Sequence, residues 1–230
     1  MTTLEEMTLE RFQAGQASVE RTLLVVSGLE TEEQVSSYQK KLDRLQEDVE
    51  RYNYWTGKPS NSYGLAEALF DYFWEIKLYR YNGDFLLAKV IDNQLDKDRW
   101  KKVGNCVGLT SLYSVLGLRL GLDLSVLVNG DHVRTLLHCD NKGVVVENND
   151  KDGFNFRLEY GYEEKDLIWL VTEVLFSRGY EKRDLGDLNG ALADYNRAIE
   201  LKPDLVLAKQ NKERLLDSRP KPWYKKIFKR

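Results

Sequence analysis

Residues 104–122 read GNCVGLTSLYSVLGLRLGL, and this stretch constrains the fold more than any other. Leu109, Leu112, Tyr113, Val115, Leu116 and Leu120 recur at helical spacing but surround most of a helix, with small residues between them. A helix that is apolar nearly all round offers water no face, so it must be enclosed. Whatever else the chain does, it has to supply packing partners on every side of residues 107–120.

The sequence provides them in both directions. After Gly121 the period changes from helical to alternating: Leu122, Leu124, Val126 and Val128, then 133–137, then 144–146, separated by turn residues at 129–131 and 140–143. This pattern predicts three antiparallel strands laid on the buried helix, with a further short strand at 154–158. Upstream, the first 55 residues read as helical. Val19, Leu23, Leu24 and Val26 make a short amphipathic stretch stopped near Gly28. Thr31 then caps a long helix whose Val35, Tyr38, Leu42, Leu45, Val49 and Tyr52 form one stripe. Residues 57–61 are loop, 65–79 and 85–95 are helical, and 97–102 form a charged connection into the central stretch. A helix is predicted to resume at Glu163.

Few function classes survive the composition. A net charge of −3 in 230 residues gives no general attraction for nucleic acid, and the sequence has neither a GxxxxGKS nor a GxGxxG motif for nucleotide. With two cysteines, two histidines and no CxxC or HExxH pair, no metal site and no cofactor is expected. No apolar run reaches the roughly 18 to 20 residues of a membrane span. The opening MTTLEEMTLERF is acidic where an export signal is basic, which predicts a cytoplasmic setting with both thiols reduced. The exception to the acidic balance is 219–230, RPKPWYKKIFKR, a basic tail able to touch an anionic surface.

The scarce chemistry-bearing residues cluster around the central stretch. Cys106 stands where the buried helix begins, and a helix N-terminus favours a thiolate through its free N–H groups and dipole. His132 and His138 lie six apart on the second strand and so share a face, with Cys139 on the other. One of them can accept the thiol proton, while a polar residue on the neighbouring strand orients the imidazole. Glu147 and Asn148 end that strand, and since side chains alternate, one of the two faces His132.

Cys on a helix, His on a following strand and an acid or amide on the next resembles the transglutaminase-like branch of the papain-type cysteine enzymes. The segments GNCVGLTSLYSVLGLRLGL, GDHVRTLL and GVVVENNDKDG carry the resemblance. It implies an α+β fold, a buried Cys-bearing helix packed on a small antiparallel sheet, and acyl transfer through a thioester. Residue by residue, it makes Cys106 the nucleophile, His132 the base and Glu147 or Asn148 the third member. Val133 and Arg134 stand where protein-crosslinking members carry aromatics, a departure from the glutamine-crosslinking pattern; the thioester chemistry that the resemblance implies has as acceptor either water, giving a protease or amidase, or an amine, as in a transglutaminase.

The C-terminal region follows another pattern. Gly179, Gly186, Ala191, Tyr195, Ala198 and Pro203 fall at the offsets of the 34-residue tetratricopeptide (TPR) repeat, and 206–218 resembles a capping helix. The expected organisation is therefore N-terminal helices (1–55) packed on the core, a transglutaminase-like domain (56–165), a TPR-like helical region (166–218) and the basic tail (219–230). Two functions compete: a thiol-dependent acyl-transfer enzyme with a protein or peptide substrate, and a degenerate scaffold whose TPR unit recruits a protein.

Overall fold

A computed structural model describes residues 2–130 and 132–218; the basic tail lies outside them. The chain divides into two compact units, Met1–Val174 and Leu175–Arg230.

In the first unit, six helices precede the sheet. They are α1 (Leu4–Gln13), α2 (Val19–Val26), α3 (Glu32–Thr56), α4 (Ser62–Ile76), α5 (Leu87–Leu95) and α6 (Cys106–Arg119). Local chemistry fixes their ends. Thr3 and Thr31 each form a capping box, and α3 stops at Gly57 in the left-handed conformation (φ +66°). The stripe read from α3 buries Val35, Leu42, Leu45 and Val49. Tyr38 is only half-buried and instead donates its hydroxyl to Asp92.

The enclosure of α6 is nearly complete: eleven consecutive residues, Val107 to Gly117, are buried. Helices α2, α3, α4 and α5 and strands β1 (Asp123–Asn129) and β2 (His132–Cys139) all pack on it. The Tyr113 hydroxyl donates to the Ala66 carbonyl at 2.8 Å, whereas the buried hydroxyls of Ser111 and Ser114 meet no hydrogen-bond partner among the described residues.

The sheet has one strand more than the three and the short fourth at 154–158 that the sequence predicts. Its order is β4-β3-β2-β1-β5, all antiparallel, with β3 (Lys142–Val146), β4 (Phe154–Phe156) and β5 (Glu163–Lys165). Residues 163–165 are not the start of a helix. They pair with Val126 to Val128 of β1, and α7 (Ile168–Asp184) begins three residues later. A three-residue strand reading Glu-Glu-Lys has no apolar alternation, so its pairing with the free edge of β1 defines it.

Within Leu175–Arg230, the C-terminal part of α7, α8 (Leu188–Leu201) and α9 (Val206–Ser218) enclose Ala191, Tyr195 and Leu215, with Phe176, Leu188 and Leu192 against them. A Cβ on Gly179 would sit 2.8 Å from the Tyr195 ring, so that glycine sets how closely the two helices approach. Asp194 is fully buried, and Arg178 (2.6 Å) and Lys182 (2.8 Å) neutralise it.

A Cβ at Gly108 would stand 2.7 Å from both the Asp84 carbonyl oxygen and Val90 Cγ2, whereas one at Gly83 meets nothing within 4 Å. Gly108→Ala should therefore cost about 2 kcal/mol or more by overpacking. In thermal unfolding this variant should melt clearly below the wild type, and Gly83→Ala within a degree or two of it.

Candidate active site

The approach to Cys106 is pinned before the helix starts. The Arg80 carbonyl accepts from Val103 N (2.8 Å) and Gly104 N (3.0 Å), the Gly104 carbonyl accepts from Asn82 N, and the Asp84 carbonyl accepts from Asn105 N at 2.7 Å. The amide of buried Asn93 donates to the Asp84 carboxylate (2.9 Å) and to the Val103 carbonyl (3.0 Å). Two buried cations underlie this loop. Lys77 Nζ donates to the carbonyls of Asp96 and Asp98, both at 2.7 Å, and the Arg80 guanidinium lies over the Phe73 and Trp74 rings. Burial depresses both pKa values, Arg80 to about 9. Asn105 then caps α6 by accepting from Gly108 N, and Cys106 is the first helical residue. Both cysteines remain thiols.

Strand register decides which candidates meet. Thr135 pairs with Val146, so continuing one residue past β3 sets Glu147 beside Arg134 on the face that also carries His132. Glu147 Oε2 lies 2.7 Å from His132 Nε2 and accepts from Arg134 Nε at 2.6 Å, while Oε1 accepts from Asn149 N at 3.1 Å. His132 is in turn hydrogen-bonded to Cys106. Cys106 and Glu147 thus both meet the His132 ring, the carboxylate at Nε2.

Asn148 does not face His132. It falls on the opposite side of the sheet, where its amide donates to Thr135 Oγ1 (3.0 Å) and Thr110 Oγ1 (3.2 Å) and so ties β2 to α6. Alternation assigns the two neighbours different tasks, one in the cluster and one in the core.

The electrostatics follow from these contacts. The hydrogen bonds to Cys106 and Glu147 raise the His132 pKa to about 9 against the cost of partial burial. Burial pushes Glu147 toward protonation, but the His132 and Arg134 hydrogen bonds more than offset it, so its carboxyl titrates below the ordinary range. Arg134 was not anticipated from the sequence. Its guanidinium is buried, lies over the Tyr162 ring (4.4 Å) and the Phe156 ring (4.8 Å), and reaches Glu159 at 3.0 Å. The available signal was its place two residues after His132, on the same strand face.

A groove of about 540 Å³ opens at His132 and Glu147, walled by Trp74, Leu78, Tyr79 and Phe156. Leu78, Tyr79 and Trp100 are exposed, and the Tyr79 and Trp100 rings stack at 5.7 Å. His138 belongs to a separate cluster. Its Nε2 lies 2.9 Å from Ser125 Oγ and 3.1 Å from Glu164 Oε1, and the serine hydroxyl donates to that carboxylate. The acid stands at the nitrogen facing the hydroxyl instead of at the far one, so this is no Ser–His–acid relay. Burial, with Asp140 nearby, raises the Cys139 pKa. Among the described residues, no group of three or more His, Cys, Asp or Glu is placed to hold a metal ion, and no helix is long and apolar enough to cross a membrane.

A family model described as TPR repeat matches residues 179–208, inside the second unit. The match does not extend to 56–165 and gives no support to a transglutaminase-like domain there. No curated protein matches the chain. Among solved structures, the chain is similar to menin, in a crystal structure described as revealing the binding site for Mixed Lineage Leukemia (MLL) protein. The TM-score is 0.52 at 12% identity, over 94% of this chain and 62% of that one. The chain thus spans under two thirds of the menin chain, and at this identity the likeness is one of fold alone. Taken together, the chain is a mixed α and antiparallel β protein with a TPR repeat, a module that serves protein–protein interaction.

Proposed function

We propose that the chain acts on protein partners, engaged through its TPR repeat, and that its first unit is a transglutaminase-like core whose Cys106, His132 and Glu147 transfer acyl groups. The observation that carries the catalytic part is the convergence on His132 of a carboxylate, at 2.7 Å from Nε2, and of a thiol at a helix N-terminus. The TPR match supports the interaction part.

In this reading His132 takes the Cys106 proton and the sulfur attacks a substrate carbonyl carbon. The tetrahedral species collapses to a thioester as the imidazolium returns the proton to the departing amine. Water or a second amine, deprotonated by His132, then releases the acyl group and restores the thiol. Glu147 keeps the imidazole oriented and stabilises its charged form. The apolar groove beside His132 suits a polypeptide segment with a large aliphatic or aromatic side chain near the carbonyl.

A second reading has an observation of its own. The family match covers the repeat and not the core, which favours an interaction module on a catalytically silent scaffold. The menin likeness is compatible with it, since that structure's description concerns a binding site for a protein.

A thiol-directed acyl probe separates the two. Cys106→Ala should abolish labelling, Cys139→Ala should leave it intact, and His132→Ala should slow it roughly 10²-fold. Equal labelling of wild type and Cys106→Ala would sink the catalytic reading, and unchanged partner capture by Cys106→Ala would then favour the scaffold. The raised His132 pKa makes a further prediction by linkage. Folding favours the protonated ring, so its contribution is complete below the ordinary value near 6.5 and is lost as pH rises through about 9. The thermal midpoint should fall across that window, and His132→Gln should flatten the fall.

A further inference from the structure

We infer that Arg134 is a positioning residue which shares the Glu147 carboxylate with His132 and so limits how tightly the imidazolium is held. The inference rests on the catalytic reading of that cluster. It starts from an oxygen with two claimants: Glu147 Oε2 meets His132 Nε2 at 2.7 Å and Arg134 Nε at 2.6 Å. Neither hydrogen bond is incidental, since Glu147 and Arg134 are both buried.

Arg134 cannot swing away from this position. Its guanidinium is clasped between the Phe156 and Tyr162 rings, and Nη2 is held by Glu159 at 3.0 Å. Glu147, by contrast, keeps its orientation without Arg134, because Oε1 accepts from Asn149 N. What Arg134 adds is therefore mainly charge on the oxygen that His132 uses. A carboxylate paired with imidazole alone would bind the imidazolium more strongly than one already half neutralised by a guanidinium.

That division matters to a ring that must take a proton and give it back. General acid–base work is most effective when the pKa lies near the working pH. The groups facing His132 are Cys106 on α6, Glu147 beyond β3, the Tyr162 ring at 6.4 Å, and Arg134 on its own strand; Asp150 and Lys151 line the same groove. Of these, Cys106 and Glu147 pull the His132 pKa upward, and Arg134 is the buried cation that shares the Glu147 oxygen.

The test is the titration of the His132 ring carbon protons by NMR in the full chain, which has two histidines. His132→Gln assigns the signal and His138 serves as an internal control. Arg134→Gln should raise the His132 pKa by roughly one unit, Arg134→Lys should leave it near the wild-type value, and His138 should not move in either. A His132 pKa that is unchanged in Arg134→Gln overturns the inference. A fall also overturns it, because it would mean that Arg134 merely props Glu147 in place. Should Arg134→Gln fail to fold, Glu159→Gln decides: Glu159 is exposed, and its loss leaves the arginine charge to Glu147 and lowers the His132 pKa. No change or a rise in that variant overturns the inference. Absent Cys106 labelling in the wild type would refute the catalytic reading separately, since the titration needs no turnover.

Discussion

The enclosure of α6 is the constraint on which the first unit depends. With Val107 to Gly117 buried, the polar groups on the helix can be met only from within the protein, and the Ser111 and Ser114 hydroxyls are not met among the described residues. The Thr110–Asn148–Thr135 bridge and the Tyr113 hydroxyl meet part of that demand, and each commits a neighbouring element to one position. Close approach does the rest: at Gly104 and Gly108 the Asp84 carbonyl and Val90 come where a Cβ would stand. What remains for chemistry is the helix ends. At the C-terminal end Arg119 is bound to Glu20 (2.8 Å) and Asp43 (2.6 Å), a cation where the helix dipole is negative. At the N-terminal end is Cys106, where the dipole has the opposite sign.

That division explains which parts of the molecule the sequence revealed. The stripe on α3 showed as a single buried set at helical spacing, α6 as a helix apolar nearly all round, and β1 to β3 as short apolar runs set between turn residues. The order of Cys106, His132 and Glu147 was equally visible. Their phasing was not, because Glu147 and Asn148 are both polar and the choice depends on the pairing of Thr135 with Val146. Strand β5 was hidden for a related reason: three charged residues become a strand only because β1 offers an edge. Lys77 and Arg80 gave no local sign of burial, since their partners are backbone carbonyls and aromatic rings instead of nearby acids.

The second unit was readable for a different cause. A TPR hairpin repeats small residues where helices touch, and Gly179 against the Tyr195 ring shows the physical need. The Arg178–Asp194 pair was not readable in the same way. A carboxylate at zero exposure needs more than one cation to stay ionised, and Arg178, Lys182 and Arg197 all approach it. One such centre fixes the register of two helices whose apolar core is small.

Buried carboxylates thus occur in both units, and the comparison bears on what Glu147 is for. Asp194 is met by cations from Arg178, Lys182 and Arg197 and has no exposure, the arrangement of a purely structural charge. Glu147 is equally well supplied by Arg134 and Asn149 N, which would suffice to keep it ionised in place. Yet it also holds His132, whose side chain is 31% exposed and lines an open groove. A structural ion pair gains little from a titrating partner at the solvent boundary, because surface pairs contribute little and imidazole is charged over only part of the pH range. The same carboxylate is well placed to orient a ring whose other contact is a thiol at the start of a helix. A compensated buried acid, a half-exposed imidazole and a helix-terminal sulfur are the parts on which the proposed catalytic reading draws, and strand pairing alone does not call for them together.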